Sequence, residues 1–90
     1  MLQAKSNGYG AADVCKRVGI SPRQLEYWVL IGAVRPVCER HGSKLFKRYS
    51  DNDLWILKSI KDLTDEGYLV SRAVERLKRL FPERFERSLA

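Results

Sequence analysis

A chain of 90 residues forms one small domain, and its 44% hydrophobic content supplies enough apolar side chain for a core, which argues against disorder. The 17 Lys and Arg against 11 Asp and Glu give a formal net charge of +6 at pH 7, which favours an anionic partner, nucleic acid ahead of a membrane surface. No apolar run approaches the roughly 18 residues of a membrane span, the N-terminus lacks the apolar stretch of a signal peptide, and Cys15 and Cys38 make no disulfide scaffold. A cytoplasmic chain is the expectation.

Residues 1–8 read as a flexible polar tail, with Tyr9 as the first anchored side chain. Ala11, Val14, Cys15 and Val18 then fall at i, i+3, i+4 and i+7, one face of an amphipathic helix that Gly19 ends. Cys15 lies on that face and reads as a core residue rather than a reactive thiol. Ser21 is a strong N-cap and Pro22 suits the first helical position, so a second helix spans 22–31 and stops at Gly32. At about 100° per residue, Leu25 and Val29 point to one side with Trp28 on the flank. Arg23, Tyr27 and Ile31 point roughly the opposite way, with Gln24 beside them. Such a helix suits a DNA major groove, and equally an ordinary surface. Two helices joined around Gly19 form a helix-turn-helix unit.

Pro36 excludes helix, and residues 34–37 read as extended. The polar stretch C-E-R-H-G-S reads as a loop with Gly42 at a turn, and 44–49 as a strand. The simplest arrangement is a two-stranded ribbon anchored by its aromatic residues and decorated by Arg40, His41, Lys44, Lys47 and Arg48. Beside a helix-turn-helix this is a wing able to grip phosphates. The alternative is a solvated hairpin whose charges keep an edge strand from aggregating.

Ser50 caps a helix over 51–66, with Asp51 and Asp53 at its positive end and Ile56, Leu57, Ile60 and Leu63 as its apolar stripe. Trp55 lies off the stripe, and Gly67 ends the helix. A fourth helix over 70–80 buries Val70, Ala73, Val74, Leu77 and Leu80 or Phe81, and turns Arg72, Glu75, Arg76, Lys78 and Arg79 to solvent. Pro82 breaks it. Residues 83–90 form a short C-terminal segment with Phe85 and Leu89 docking back. The fold class is mostly α: a winged helix-turn-helix with a two-stranded wing and a following helix pair.

Cys38 and His41 are spaced like metal ligands, with Cys15 a conceivable third, but a structural zinc site takes four and no C-x-x-C is present. No metal and no cofactor are expected. One histidine, no Gly-rich phosphate loop and no nucleophile–base pairing leave no catalytic residues to name.

The order of these parts resembles the DNA-binding domain of MerR-type regulators over most of the chain. The resemblance is carried by A-D-V-C-K-R-V-G-I-S, L-E-Y-W, G-A-V-R-P, K-R-Y-S, the D-L that follows with its Leu/Ile spacing, and D-E-G-Y. It implies a DNA-binding domain over 9–82, with Ser21 starting the recognition helix and Pro22, Arg23 and Gln24 nearest base edges. Tyr27 and Trp28 would be the family's aromatic pair, whose first member touches the DNA backbone. Lys47 and Arg48 would meet phosphates, and Tyr49 would be a structural or backbone-contacting tyrosine. The expected DNA-binding set is Ser21, Arg23, Gln24, Tyr27, Trp28, Arg40, Lys44, Lys47, Arg48 and Tyr49.

Three features depart from the family pattern. Glu26 stands where an Arg is usual, the wing loop reads as longer than in the shortest members, and Leu69 replaces the serine that commonly caps the fourth helix. The residues after Pro82 lack the heptads of the family's dimerisation coil, so two readings stand: 83–90 is the truncated start of a linker or dimerisation helix of a longer regulator, or the chain is a small member that dimerises differently. The expected function is sequence-specific binding of double-stranded DNA for transcriptional regulation, as a homodimer on DNA. The alternatives are an excisionase-like or chromosome-organising architectural protein, and a protein-interaction module presenting Tyr27, Trp28 and Trp55.

Overall fold

A computed structural model of the chain describes residues 8–86. The element order is α1 (Ala11–Val18), α2 (Pro22–Leu30), β1 (Val37–His41), β2 (Lys44–Arg48), α3 (Asp51–Asp65), α4 (Val70–Leu80) and α5 (Pro82–Glu86). The mostly helical fold, with a single two-stranded antiparallel ribbon inserted between the helix-turn-helix and the α3–α4 pair, is a winged helix-turn-helix.

Sequence chemistry sets most of the helix ends. Ser50 caps α3 through a reciprocal pair of bonds: its Oγ accepts from the Asp53 backbone N–H and its own N–H donates to Asp53 Oδ2, both 3.0 Å. By contrast α4 starts at Leu69, whose side chain cannot bond the free N–H groups and gives no cap.

One core joins the helices. Val14, Cys15 and Val18 of α1 meet Leu25 and Trp28 of α2, Ile56, Leu57 and Ile60 of α3, and Ala73, Val74 and Leu77 of α4, with Ile20, Ala33, Val34 and Tyr49 from the connections. Ala11, expected on the apolar face of α1, is exposed because it lies in the first turn, before α1 enters the core. Val29 and Leu63 are half-buried at the margin.

The ribbon differs from expectation in two respects. The stretch read as a loop is largely strand: Cys38 to His41 pair with Lys47 to Lys44, leaving a turn of only Gly42 and Ser43. Both favoured two-residue hairpin turns need positive φ at their first position, and Gly42 supplies +66°. The wing loop is therefore short. In addition, no residue of either strand is buried. Phe46 does not anchor the ribbon in the core but stands edge-on to His41 on the ribbon itself, 5.4 Å between ring centroids. The anchor is Tyr49, 2% exposed, which exchanges backbone hydrogen bonds with Tyr9 at 2.7 and 2.9 Å.

Phe85 packs against the core as expected, while Leu89 lies outside the described residues. Trp55, off the α3 stripe, is half-buried: it meets the Phe81 edge at 5.0 Å, and the Arg84 guanidinium sits 4.2 Å from its ring centroid.

Candidate nucleic-acid interface

The recognition-helix candidate α2 is held at its start by a capping box. Ser21 Oγ accepts from the Gln24 backbone N–H at 3.1 Å, and the Ser21 N–H donates to Gln24 Oε1 at 3.0 Å. Pro22 adds the pre-set φ of a first helical position. Ser21 and Gln24, both in the expected DNA-binding set, thus position the helix as well, and the Gln24 amide keeps its N–H₂ side for outward donation.

Leu25 and Trp28 fix which side of α2 faces inward, each 2% exposed. Arg23 and Tyr27 stand on the opposite side and are exposed, Tyr27 by 53%. The expectation for Trp28 as a DNA contact is corrected: its indole is 2% exposed and belongs to the core, because a side chain this large on the flank of the helix's inward side still reaches the interior. For Tyr49 the resemblance implied a structural or a backbone-contacting role, and its burial fits the first. Its ring is buried and serves structure, and burial raises its hydroxyl pKa, with the charges of Cys15, Asp53, Cys38 and Glu26 adding to the effect. Leu30 was missed. It is 82% exposed and lies seven residues after Arg23 and three after Tyr27, on the same side of the helix, a spacing already visible in the sequence.

On the ribbon, directly paired residues share a face. The register puts Cys38, Arg40, Leu45 and Lys47 on one face and Val37, Glu39, His41, Lys44, Phe46 and Arg48 on the other. The basic residues expected to act together are therefore divided. Arg40, Lys44 and Lys47 are exposed. Arg48 is half-buried, and its Nε donates to Glu39 Oε1 at 3.1 Å, while His41 Nε2 lies 3.3 Å from the same oxygen. Arg48 first, and His41 second, hold the Glu39 carboxyl below the usual carboxylate range. Glu39 is the residue that reasoning from charge clusters passes over; strand alternation is the signal that places it beside Arg48.

No group of three His, Cys, Asp or Glu able to hold a metal occurs among the described residues, and none of their helices is long and apolar enough to cross a membrane.

A helix-turn-helix followed by a two-stranded hairpin rich in Lys and Arg and then by a helix pair defines the winged helix-turn-helix class. The sequence profile described as "MerR HTH family regulatory protein" matches residues 9–80, and the chain belongs to that family of DNA-binding transcriptional regulators. Over 61 residues, 67% of this chain, it is 38% identical to uncharacterized HTH-type transcriptional regulators of Mycobacterium bovis and of two Mycobacterium tuberculosis strains, CDC 1551 and H37Rv. The match covers 27% of the length of these relatives.

Proposed function

We propose that this chain reads duplex DNA sequence-specifically, with α2 in the major groove and the ribbon on flanking phosphates. One observation carries the reading: the side of α2 opposite buried Leu25 and Trp28 is open and presents a guanidinium, an amide and a phenol from Arg23, Gln24 and Tyr27. A guanidinium can bond guanine O6 and N7 together, and an amide N–H₂ can donate to adenine N7, guanine O6 or thymine O4. Cationic side chains on the ribbon add sequence-independent affinity and fix register. One recognition helix spans only a few base pairs, so a palindromic operator would be met by two copies of the protein.

A protein-interaction surface built on Tyr27, Trp28 and Trp55 has less support. Trp28 is inside, and Trp55 is engaged by Phe81 and Arg84.

The test is selection of duplexes from a random library, followed by binding measurements on the selected and a scrambled duplex. The expected result is an enriched sequence whose advantage over the scrambled duplex shrinks in Arg23→Ala, by a factor corresponding to about 1–3 kcal/mol. No enrichment, or an advantage untouched by Arg23→Ala and Tyr27→Ala, overturns the reading.

A further inference from the structure

The ribbon carries four Lys and Arg and one acid over residues 37–48, and its register divides them unevenly. Arg40 and Lys47 share a face with Cys38 and Leu45 and with no carboxylate. Arg48 and Lys44 share the opposite face with Glu39, which engages Arg48 at 3.1 Å and stands 3.3 Å from His41.

We propose that the ribbon is two-sided: it takes phosphodiester groups on the Arg40–Lys47 face, while Glu39 holds Arg48 on a face turned away from DNA. This rests on the reading that the ribbon meets phosphates, and it deepens that reading by naming which cations do so.

Two independent observations support it. The first is electrostatic. Were the Glu39 face against DNA, its carboxylate would stand among phosphate oxygens, and Arg48 would have to exchange a partner it already has for an equivalent one. The second is geometric. Tyr49 continues the alternation of Leu45 and Lys47, and its ring is buried at the foot of the ribbon in the core to which α2 contributes Leu25 and Trp28. The Arg40–Lys47 face therefore continues the side that the ribbon turns to that shared core, and the Glu39 face is the one turned from it.

Arg48 is thereby a positioning residue rather than a phosphate ligand. Its bond to Glu39 crosses the two strands near the base of the hairpin and ties them to one another. Each phosphate neutralised by a cation contributes about 0.9 to the slope of log affinity against log salt, so the assignment can be read residue by residue.

The experiment uses the full chain and a random-sequence duplex, titrated by fluorescence anisotropy at salt concentrations from roughly 50 to 200 mM. Arg40→Gln and Lys47→Gln should each flatten the slope by about 0.9, whereas Arg48→Gln and Glu39→Gln should leave it unchanged. Glu39→Gln keeps the side chain's shape and tests the same point if Arg48→Gln melts at a lower temperature. A slope flattened as much by Arg48→Gln as by Lys47→Gln overturns the two-sided assignment, as does a steeper slope and tighter binding in Glu39→Gln. If none of the four variants moves the slope, the ribbon does not meet phosphates and the underlying reading fails as well, which is a different result from the first two.

Discussion

Ser21 and Gln24 cap one another across the first turn of α2, each accepting from the other's backbone N–H at 3.1 and 3.0 Å. Two residues that sequence reasoning assigns to DNA are thus also the reason the helix begins where it does. Ser21→Ala is expected to destabilise the domain by about 1 kcal/mol, the usual cost of a lost N-cap. Gln24→Glu separates the two roles, since a carboxylate can still accept from Ser21 but cannot donate to a base. Its stability should stay within about 0.5 kcal/mol of the parent, while discrimination between selected and scrambled duplexes falls. Urea denaturation and anisotropy titration check the two halves.

Tyr27 and Trp28 are neighbours with opposite fates. Trp28→Ala should cost about 3–5 kcal/mol, because it leaves a cavity in the core. That is a large part of the stability of a domain this small. Tyr27→Ala, at a 53% exposed position, should change stability by less than about 0.5 kcal/mol and weaken DNA binding. Thermal melts of the two variants side by side decide this; equal melting temperatures would contradict the burial of Trp28.

Gly8 lies against the Tyr49 main chain ahead of α1. Its φ is +119°, and a Cβ there would stand 2.6 Å from the Tyr49 carbonyl oxygen, itself bonded to the Tyr9 N–H. Gly8→Ala combines backbone strain with a clash against main chain that cannot swing aside. It is expected to destabilise by more than about 1 kcal/mol and to speed hydrogen exchange at the Tyr9 and Tyr49 amides. A melt and exchange rates equal to the parent's would show that residue 8 belongs to the tail.

Tyr9 and Tyr49 predict an alkaline limb of stability. Burial raises the Tyr49 pKa above its ordinary 10.0, and the Tyr9 pKa is raised chiefly because its hydroxyl donates to Asp51 Oδ1 at 2.7 Å. A pKa raised on folding means that the native state holds the proton more tightly than the unfolded chain. Their contribution is complete below about pH 10 and is lost as pH rises through the folded values. Denaturation midpoints should therefore fall above pH 10, and Tyr49→Phe should make that fall shallower. An alkaline limb of the same steepness in Tyr49→Phe would remove Tyr49 as its source.

Much of the molecule was legible before any coordinates. Ser21, Pro22 and Ser50 announce helix starts, and Gly19 and Gly67 follow helix ends, because capping is chemistry between near neighbours in the chain. The stripes of α3 and α4 are legible for the same reason: periodicity is local, and Ile56, Leu57, Ile60, Ala73, Val74 and Leu77 are buried where their spacing put them. The outward placing of Arg23 and Tyr27 follows from that same arithmetic.

What tertiary structure decided was everything that depends on partners distant in sequence. Helical spacing puts Trp28 on a flank; only the core assembled from elements distant in sequence closes over it. Strand propensity suggests a ribbon, but the pairing of His41 with Lys44 across a two-residue turn sets which cations share a face, and a slip of one position would exchange them. That pairing sets Glu39 beside Arg48, and the Tyr9–Tyr49 bridge turns a tyrosine of the expected DNA contacts into the ribbon's anchor. Capping and periodicity act over a few residues and can be read along the chain, whereas burial and cross-strand register exist only once the chain has folded back on itself.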